Sequence, residues 1–320
     1  MTENTYIGMD LGATKLLVGE VNSKGDILNY KRYPTGQLNQ DVLLTIMRNA
    51  WDDYRTTAQF VGIPVSIGIG MIGTVDTKNG IWYSSNTSWE PINIVEELGK
   101  ETGLPVTIEN DVRAATLAEM LLGLGQGVSD FIYYNVGTGI AAGFVVNGKL
   151  LRGSANNNGE VGHMVVDMQS EITCRCGRRG CVEILASGYG LDCSARYYSS
   201  LYPGNLLEPY IKEDKPIPPG EIFSGAISGD ALCMKLVDDG AHAIAESIMN
   251  LVRTIDPAMC ILGGGLTKSR YYMDKVMSYM NQKTLRHMKQ GFCYSRFNVE
   301  LAGLVGAAVV GKNGLESIEK

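Results

Sequence analysis

The sequence of 320 residues lacks an excess of positive charge. Lysine and arginine number 28 against 34 aspartates and glutamates, which leaves a formal net charge of −6. A protein that binds nucleic acid without sequence preference needs a basic surface that neutralises phosphates. The composition therefore argues against a nucleic-acid partner.

Long apolar runs are also missing. No stretch approaches the roughly 20 apolar residues that a membrane-spanning helix needs. The start of the chain, Met1–Thr5, is polar and lacks the basic beginning and apolar centre of a signal peptide. With 45% hydrophobic residues the chain can still bury a large core, and its length suggests two domains. We therefore expect a cytoplasmic protein with no membrane partner.

The cysteines do not form the pattern of a disulfide framework. The chain has seven, and Cys174, Cys176 and Cys181 fall within eight residues. Such crowding in a long, cytosolic-type chain indicates a metal site rather than disulfides. Together with His163 these residues offer one nitrogen and three sulfurs, the closed tetrahedral set of structural zinc. The sequence therefore predicts a Zn²⁺ ion that fixes a loop and does not activate water.

Strand and helix patterns alternate along the chain, which predicts an α/β protein. In the first half the patterns cover strands Tyr6–Met9, Leu16–Val21, Val65–Ile69 and Val106–Ile108, and helices Asp41–Phe60 and Ala114–Leu124. A two-strand pattern begins again at Phe131–Val136, which suggests an internal repeat. In the second half the patterns predict helices Asp230–Ile255, Tyr271–Met288 and Leu304–Gly311, a strand Ala258–Leu262, and an irregular, proline-containing stretch Asp192–Ser228.

Three glycine-containing turns could bring backbone N–H groups close to a phosphate or a nucleotide. The candidate residues are Asp10, Gly12, Thr14 and Lys15 in the first turn, Gly137, Thr138 and Gly139 in the second, and Gly263, Gly264 and Gly265 in the third. Taken one at a time, each turn is explained as well or better by a plain hairpin turn or loop. Their combination is what favours nucleotide binding.

The pair Asn110–Asp111 follows a strand and precedes a helix. Asp111 could simply cap that helix, which is the commoner role of aspartate. It could also act as a general base on a hydroxyl, since phosphoryl transfer needs little from the protein besides a positioned nucleophile. The residues alone leave both interpretations open. The carboxylates of Glu160 and Glu183 bracket the metal loop, where they could accept hydrogen bonds from sugar hydroxyls or be ordinary surface charges.

Three motifs together resemble the signature of the ROK family of sugar kinases and related repressors. They are Gly159-Glu-Val-Gly-His-Met164, Cys174-x-Cys-Gly-x-x-Gly-Cys-x-Glu183 and Ala186-Ser-Gly188. The turn residues, Asn86 and the Asn110–Asp111 pair occur in the order of the family, so the resemblance spans nearly the whole chain.

The resemblance implies an actin-like (ribonuclease H-like) ATPase fold, in which two domains flank a cleft that binds sugar and ATP. The expected small domain comprises residues 1–115 with a C-terminal helix, 303–320, packed back on it. The expected large domain comprises residues 116–302 and carries the zinc loop, 163–181. The resemblance also implies a homodimer.

The resemblance further implies ATP-dependent phosphorylation of a hexose, glucose by default, at the C6 hydroxyl, with Asp111 as general base. The residues that would hold the sugar are Gly73, Asn86, Asn110, Asp111, Glu160, His163 and Glu183. The three glycine-containing turns would bind ATP with Mg²⁺, and Asp10 would lie near the metal. His163 would both bind zinc and touch the sugar.

The main alternative is a sugar-sensing regulator, because repressors of the family share the zinc and sugar motifs but carry an added helix-turn-helix segment. Here the first strand pattern begins within ten residues, so we expect a kinase. A chaperone-like or cytoskeletal ATPase would lack the zinc loop and the Asn110–Asp111 pair, whereas a non-catalytic sugar binder stays an alternative. Asn156–Asn158 stands where small residues are common in the family, which predicts an unusual substrate choice.

Overall fold

The computed structural model describes residues 3–12, 14–36, 40–84 and 90–318. Contacts divide the chain into two units. Unit 1 comprises Met1–Gly127, Lys149–Asn158 and Arg296–Lys320, and unit 2 comprises Val128–Gly148 and Gly159–Ser295. The expected division after residue 115 falls inside a helix that belongs wholly to unit 1.

Strands and helices alternate along the first part of unit 1. They are β1 (Asn4–Leu11), β2 (Lys15–Val21), β3 (Ile27–Pro34), α1 (Gln40–Thr57), β4 (Ile63–Met71), β5 (Thr74–Asp76), β6 (Ile81–Tyr83), β7 (Ile92–Asn93), α2 (Ile94–Thr102), β8 (Val106–Asn110) and α3 (Asp111–Leu122).

The remaining elements follow in chain order. They are β9 (Phe131–Val136), β10 (Ile140–Val146), β11 (Lys149–Leu150), α4 (Val182–Ala186), α5 (Gly188–Tyr198), α6 (Glu208–Lys212), α7 (Pro219–Ile227), α8 (Ala231–Ile255), β12 (Met259–Gly263), α9 (Arg270–Ser278), α10 (Gln282–Leu285), β13 (Gly291–Tyr294) and α11 (Ala302–Ile318). Of these, β11 and α11 belong to unit 1.

The main sheet of unit 1 has the strand order β3-β2-β1-β4-β8. Strand β1 is antiparallel to β2 and parallel to β4, which is parallel to β8. Side chains alternate between the two faces of a strand, so Ile67 and Ile69 join the buried cluster that includes helix α1. Gly68 faces the other way, where a Cβ would collide with the backbone of α11. Because glycine alternates with isoleucine along β4, the glycine face of the sheet is flat enough for α11 to pack directly on it.

Unit 2 repeats the central arrangement of that sheet. Its strands lie in the order β10-β9-β12-β13, with β10 antiparallel to β9 and β12 parallel to β9. The pairing β10-β9-β12 thus matches β2-β1-β4 in direction. Helix α8 runs along the core of the unit and buries Leu236, Ile244 and Ile248. It begins at Asp230, whose side chain accepts a hydrogen bond from the Cys233 N–H at 2.9 Å.

Two sequence-based predictions in unit 2 are wrong. The stretch predicted as irregular contains the end of α5 and the helices α6 and α7. Pro209 and Pro219 lie in the first turns of α6 and α7. Backbone N–H groups in a first turn have no hydrogen-bond acceptor within the helix, so proline, which lacks this group, is tolerated there. The predicted helix Tyr271–Met288 is interrupted after α9, because Asn281 caps a new helix by accepting from the Lys283 N–H at 2.9 Å.

Within the described ranges, no helix is both long enough and apolar enough to cross a membrane.

Candidate functional site

The cysteine and histidine side chains predicted as metal ligands come together in unit 2. The donor atoms of His163, Cys174, Cys176 and Cys181 all lie within 4.8 Å of one another. His163 ends a short 3-10 helix, and Cys181 is the residue before α4. Between them the loop is held by an isolated β-bridge that pairs Val165 with Cys181.

The distances within this cluster fit a tetrahedral zinc ion. The Cys174 Sγ and His163 Nδ1 atoms are 3.6 Å apart, and the Cys176 and Cys181 Sγ atoms are also 3.6 Å apart. A tetrahedron with Zn–S bonds of about 2.3 Å has edges of about 3.8 Å, so an ion fits between the donors with small adjustment. Four protein donors around one ion would leave no open position for a reacting water, which is the arrangement of structural zinc sites.

His163 faces two ways. Its Nδ1 lies towards the sulfurs, while its Nε2 is 4.0 Å from the Glu160 Oε2. A metal-bound histidine commonly directs its second ring nitrogen to a carboxylate or another polar group. The cluster therefore fixes the orientation of an imidazole nitrogen beside Glu160, whose side chain is 46% exposed. Both predicted sugar-contacting residues thus lie on the rim of the cluster.

Glu183 lies in the first turn of α4, two residues after the last cysteine ligand. The side chain is buried, and its Oε2 accepts a hydrogen bond from the Ile140 N–H at 3.2 Å. Its Oε1 has no aligned hydrogen-bond donor but lies 2.8 Å from the Arg175 Nη2 in an ion pair. A buried carboxylate oxygen without an aligned donor is costly unless a ligand supplies one. Glu183 is therefore suited to accept from a hydroxyl.

The turn Gly137–Gly139 between β9 and β10 is the predicted phosphate turn of unit 2. It is closed by a hydrogen bond from the Gly137 N–H to the Gly139 carbonyl at 3.0 Å. The first N–H groups of α5 hold it from the other side, with Gly188 donating to Gly137 at 2.9 Å and Tyr189 donating to Thr138 at 3.1 Å. A Cβ on Gly139 would lie 2.7 Å from the Glu183 Oε2. Any side chain at position 139 would therefore have to displace that carboxylate.

A cavity of about 690 Å³ lies beside this turn. The cavity joins the turn to Gly265 in the loop after β12, so two of the three predicted nucleotide turns meet here. Its volume is that of a typical small-molecule site. The complete lining is Gly137, Thr138, Gly188, Tyr189, Asp192, Arg196, Asp214, Pro216, Ile217, Pro219, Gly265 and Leu266.

The loop before α7 supplies one wall of this cavity, which the sequence alone did not predict. Arg196 organises that loop by binding Asp192 at 2.9 Å and Asp214 at 3.0 Å. The Ile217 N–H donates to Asp192 at 2.8 Å. The proline-rich composition around Ile217 was the available signal, but prolines indicate only that a segment is irregular and not what it packs against.

The Asn110–Asp111 pair lies at the start of α3 in unit 1. Asn110 is the N-cap, and its side-chain oxygen accepts from the N–H groups of Val112 at 3.1 Å and Arg113 at 3.2 Å. The capping interpretation of Asp111 is therefore wrong, since Asp111 is the first helical residue. The Asn110 amide also donates to the Gly73 carbonyl at 3.2 Å, so unit 1 brings together two of the predicted sugar-contacting residues.

Asp10 lies near this pair because β1, β4 and β8 are parallel neighbours. Their carboxyl ends share one edge of the sheet, the usual place for a ligand in such sheets. A Cβ on Gly70 would lie 3.8 Å from both the Asp10 Oδ1 and the Asp111 Cα. Burial raises the pKa of Asp10 to about 6, and the Lys15 ammonium opposes part of that rise. The adjoining turn is closed by a hydrogen bond from Gly12 N–H to Lys15 O at 2.9 Å.

A buried ion-pair network next to Asn110 was not predicted. Glu109 is 1% exposed and binds the Arg113 Nε and the Arg152 Nε, each at 2.8 Å. Arg113 also donates to the Asn158 carbonyl at 3.1 Å. The network ties the end of β8 to the segment Lys149–Asn158, which contains the unusual Asn156–Asn158. The signal in the sequence, Glu and Arg four residues apart, is too common to identify a buried pair.

The predicted site residues therefore fall in two groups. Unit 1 holds Asp10, Gly12, Thr14, Lys15, Gly73, Asn110 and Asp111, and unit 2 holds Gly137, Thr138, Gly139, Glu160, His163, Cys174, Cys176, Cys181, Glu183, Gly263, Gly264 and Gly265. Thr14 is exposed and Lys15 is half-buried. Asn86 lies outside the described residues.

Comparison with known proteins identifies the relatives of the chain. A family model described as the ROK family matches residues 6–313. The chain belongs to the ROK family. Among ROK relatives, the glucokinase of Halalkalibacterium halodurans is 27% identical, over 100% of this chain and 98% of that protein. The xylose repressor of Caldicellulosiruptor bescii is 28% identical, over 88% of this chain and 71% of the repressor.

A solved structure extends the comparison to three dimensions. The ROK family glucokinase from Streptomyces griseus in complex with glucose and AMPPNP superposes with a TM-score of 0.77 and 27% identity. The match covers 97% of this chain and 99% of the glucokinase. This likeness confirms the predicted actin-like α/β fold for this member of the ROK family.

Proposed function

We propose that this ROK sugar kinase transfers the terminal phosphoryl group of ATP to a hydroxyl of a hexose, with glucose the first candidate and C6 the acceptor position. The observation that carries the proposal is the contact between Glu183 and the phosphate turn. The Glu183 carboxylate accepts from Ile140 N–H at 3.2 Å, directly after Gly139. An acceptor suited to a sugar hydroxyl thus adjoins backbone suited to a phosphate, as phosphoryl transfer between them requires.

In this proposal Asp111 is the general base. It would accept the proton of the attacking hydroxyl, because transfer to a neutral alcohol is faster when that proton is removed as the bond forms. The position fits, since Asn110 provides the helix cap and binds Gly73 at 3.2 Å. The sugar would be held by Gly73, Asn86, Asn110, Glu160, His163 and Glu183.

The donors around His163 would hold a zinc ion in this proposal. When bound, zinc would neutralise the thiolates and fix the loop. The chain's own contribution is the imidazole, which keeps its Nε2 directed towards Glu160 at 4.0 Å. That nitrogen could then hydrogen-bond a sugar hydroxyl in one fixed orientation, which is the basis of discrimination among hexoses.

The nucleotide would occupy the cavity of about 690 Å³ between the phosphate turn and Gly265. Ile217 and Pro219 offer apolar walls to a purine, and the N–H groups of the turn offer donors to phosphates. The turn at Gly12 would bind phosphates too, with Asp10 near the magnesium ion that accompanies ATP and neutralises its charge. Asp10 meets that role as a carboxylate, the donor that Mg²⁺ prefers.

A sugar-sensing regulator is the second candidate, favoured by the similarity to a xylose repressor over 88% of this chain. A regulator and a kinase differ in the fate of ATP, because a regulator binds sugar without turnover. A cytoplasmic location and a homodimer remain predictions from composition and resemblance.

The experiment that tests the proposal is an ADP-release assay with Mg-ATP against glucose, mannose, allose, fructose and N-acetylmannosamine. We expect one hexose to respond strongly over the others. No release with any sugar, together with sugar binding in a thermal-shift measurement, would favour the regulator or a non-catalytic sugar binder.

A further inference from the structure

Arg175 lies in the metal loop, between Cys174 and Cys176, and its side chain contacts Glu183, outside the cluster. Its Nη2 is 2.8 Å from the Glu183 Oε1. The same Nη2 lies 3.6 Å from the position that a Cβ on Gly139 would take. The guanidinium therefore stands beside the phosphate turn, next to the carboxylate proposed to bind the sugar.

A second contact fixes the guanidinium in this place. Its central carbon lies 5.3 Å from the centre of the Tyr189 ring, within the range of a cation–π contact. Tyr189 also lines the cavity and donates its N–H to Thr138 at 3.1 Å. The guanidinium is thus held between the cavity wall and the acceptor carboxylate.

The charge of Arg175 is available to a ligand. Its side chain is 58% exposed. An arginine has five N–H donors, and the ion pair with Glu183 occupies only some of them. Arg196, the cation that lines the cavity, already binds Asp192, Asp214 and the carbonyl of Lys215. The turn itself, Gly-Thr-Gly, has no charged side chain.

We propose that Arg175 is a phosphate-binding residue, whose guanidinium contacts the terminal phosphates of ATP at the turn Gly137–Gly139. This inference rests on the function proposed above. Negative charge spreads over the oxygens of the transferred group during phosphoryl transfer, and a planar guanidinium binds such oxygens through two parallel hydrogen bonds. The metal loop then has a second role, because it holds this cation in position before the nucleotide arrives.

The test compares the affinities of adenosine, AMP, ADP and a non-hydrolysable ATP analogue by titration calorimetry, for the wild type and Arg175→Ala. Because the guanidinium meets only the terminal phosphates, ADP and the ATP analogue should bind about tenfold more weakly to the variant. Adenosine should bind with unchanged affinity. The kcat for the best hexose should fall by about 10²-fold, the loss seen when one stabilising donor is removed.

Arg179→Ala is the matched control. It removes an equal charge from an exposed residue of the same loop, and we expect no change in the four affinities. Zinc content is measured by native mass spectrometry in every variant. If the alanine variant binds less zinc, Arg175→Gln, which keeps most of the aliphatic part of the side chain and a polar end without the charge, repeats the comparison.

Two outcomes would overturn the inference: equal losses for adenosine and ADP, or an unchanged ADP affinity. In each of these the wild type still binds nucleotide and the proposed function stands. A wild type that binds none of the three nucleotides would instead contradict the proposed function, and this inference with it.

Discussion

At the scale of single residues, the sequence does not show which of Asn110 and Asp111 caps helix α3 and which is free for chemistry. Asparagine and aspartate are equally good helix caps, so an adjacent pair does not reveal which of them performs that role. The backbone of Asn110, with φ −63° and ψ 143°, is extended and places its amide over the N–H groups of Val112 and Arg113. Asp111 is consequently not the helix cap and is a candidate for chemistry.

Asp111→Asn should reduce kcat by about 10² or more while the sugar affinity stays within a few-fold, the pattern of a lost general base. Steady-state kinetics and sugar binding by calorimetry check both quantities. Asp274→Asn, on the exposed face of α9 with a side chain that is 68% exposed, is the control. Near-normal turnover of the Asp111 variant would remove this residue from the proposed role.

Asp10 is a second residue whose environment opposes its charge. Its pKa rises from the ordinary value of 3.8 to about 6 because of burial, with Lys15 acting in the opposite direction. The folded state therefore holds this proton more tightly than the unfolded state. Between pH 4 and pH 6 the folded protein binds more protons, so the free energy of unfolding falls as the pH rises through this window. Above pH 6 the full destabilisation persists.

Asp10→Asn removes that destabilisation. In nucleotide-free protein we expect the variant to gain about 3 kcal/mol of stability at pH 8 and about half of that at pH 5, since each unit of pKa shift corresponds to about 1.4 kcal/mol. Urea unfolding at the two pH values measures the difference, and activity should be lost. A gain of the same size at both pH values would show that the carboxyl titration is not its cause.

At the scale of elements, the end of β8 and the start of α3 are held by a buried ion pair. Glu109 and Arg113 are 1% and 3% exposed, whereas the Arg152 side chain is 36% exposed. Removing the buried Arg113 would leave the buried Glu109 carboxylate with Arg152 alone as its cation, and loss of a buried partner destabilises much more than loss of an exposed one.

Arg113→Met should therefore lower the free energy of unfolding by about 3 kcal/mol, and Arg152→Met by about 1 kcal/mol or less. The two substitutions are matched in chemistry and both remove a contact with Glu109. Chemical denaturation of the two variants and the wild type provides the comparison. Equal effects would mean that burial does not govern the network.

In the proposed function, the metal loop links zinc binding to sugar recognition. Cys176→Ser should lose zinc and weaken sugar affinity together, because His163 would no longer be held with its Nε2 towards Glu160. Metal content by mass spectrometry and sugar titration test the link, with Cys293→Ser, outside the cluster, as control. Zinc-free protein that binds sugar with unchanged affinity would show that the ion does not shape this site.

Elements defined by local patterns could be predicted, and those defined by tertiary contact could not. The helix from Asp230 and the strands around Ile67 and Ile261 follow from apolar spacing. The interruption after α9 contains no proline or glycine, so no helix-breaking residue indicates it in the sequence. The candidate metal ligands could be predicted because the three cysteines lie close in sequence, whereas the contact between Arg175 and Glu183 depends on how the metal loop folds back on the first turn of α4.

At the scale of the whole molecule, the two units carry the same central strand arrangement with different chemistry. The carboxyl ends of β1, β4 and β8 place Asp10 and Asp111 together in unit 1, while the metal loop, Glu183 and the phosphate turn are together in unit 2. The family resemblance predicted the residues of both groups. It could not predict the cavity wall formed before α7, because that wall depends on the ion pairs of Arg196.

The most direct test of the central claim is identification of the product. Purified protein is incubated with Mg-ATP and the hexose that gives the strongest ADP release, and the mixture is examined by ³¹P NMR with coupling to protons. The account predicts a hexose phosphate whose phosphorus couples to the protons on C6, formed in equal amount to ADP. ADP without any sugar phosphate, or bound sugar with ATP left intact, would contradict it.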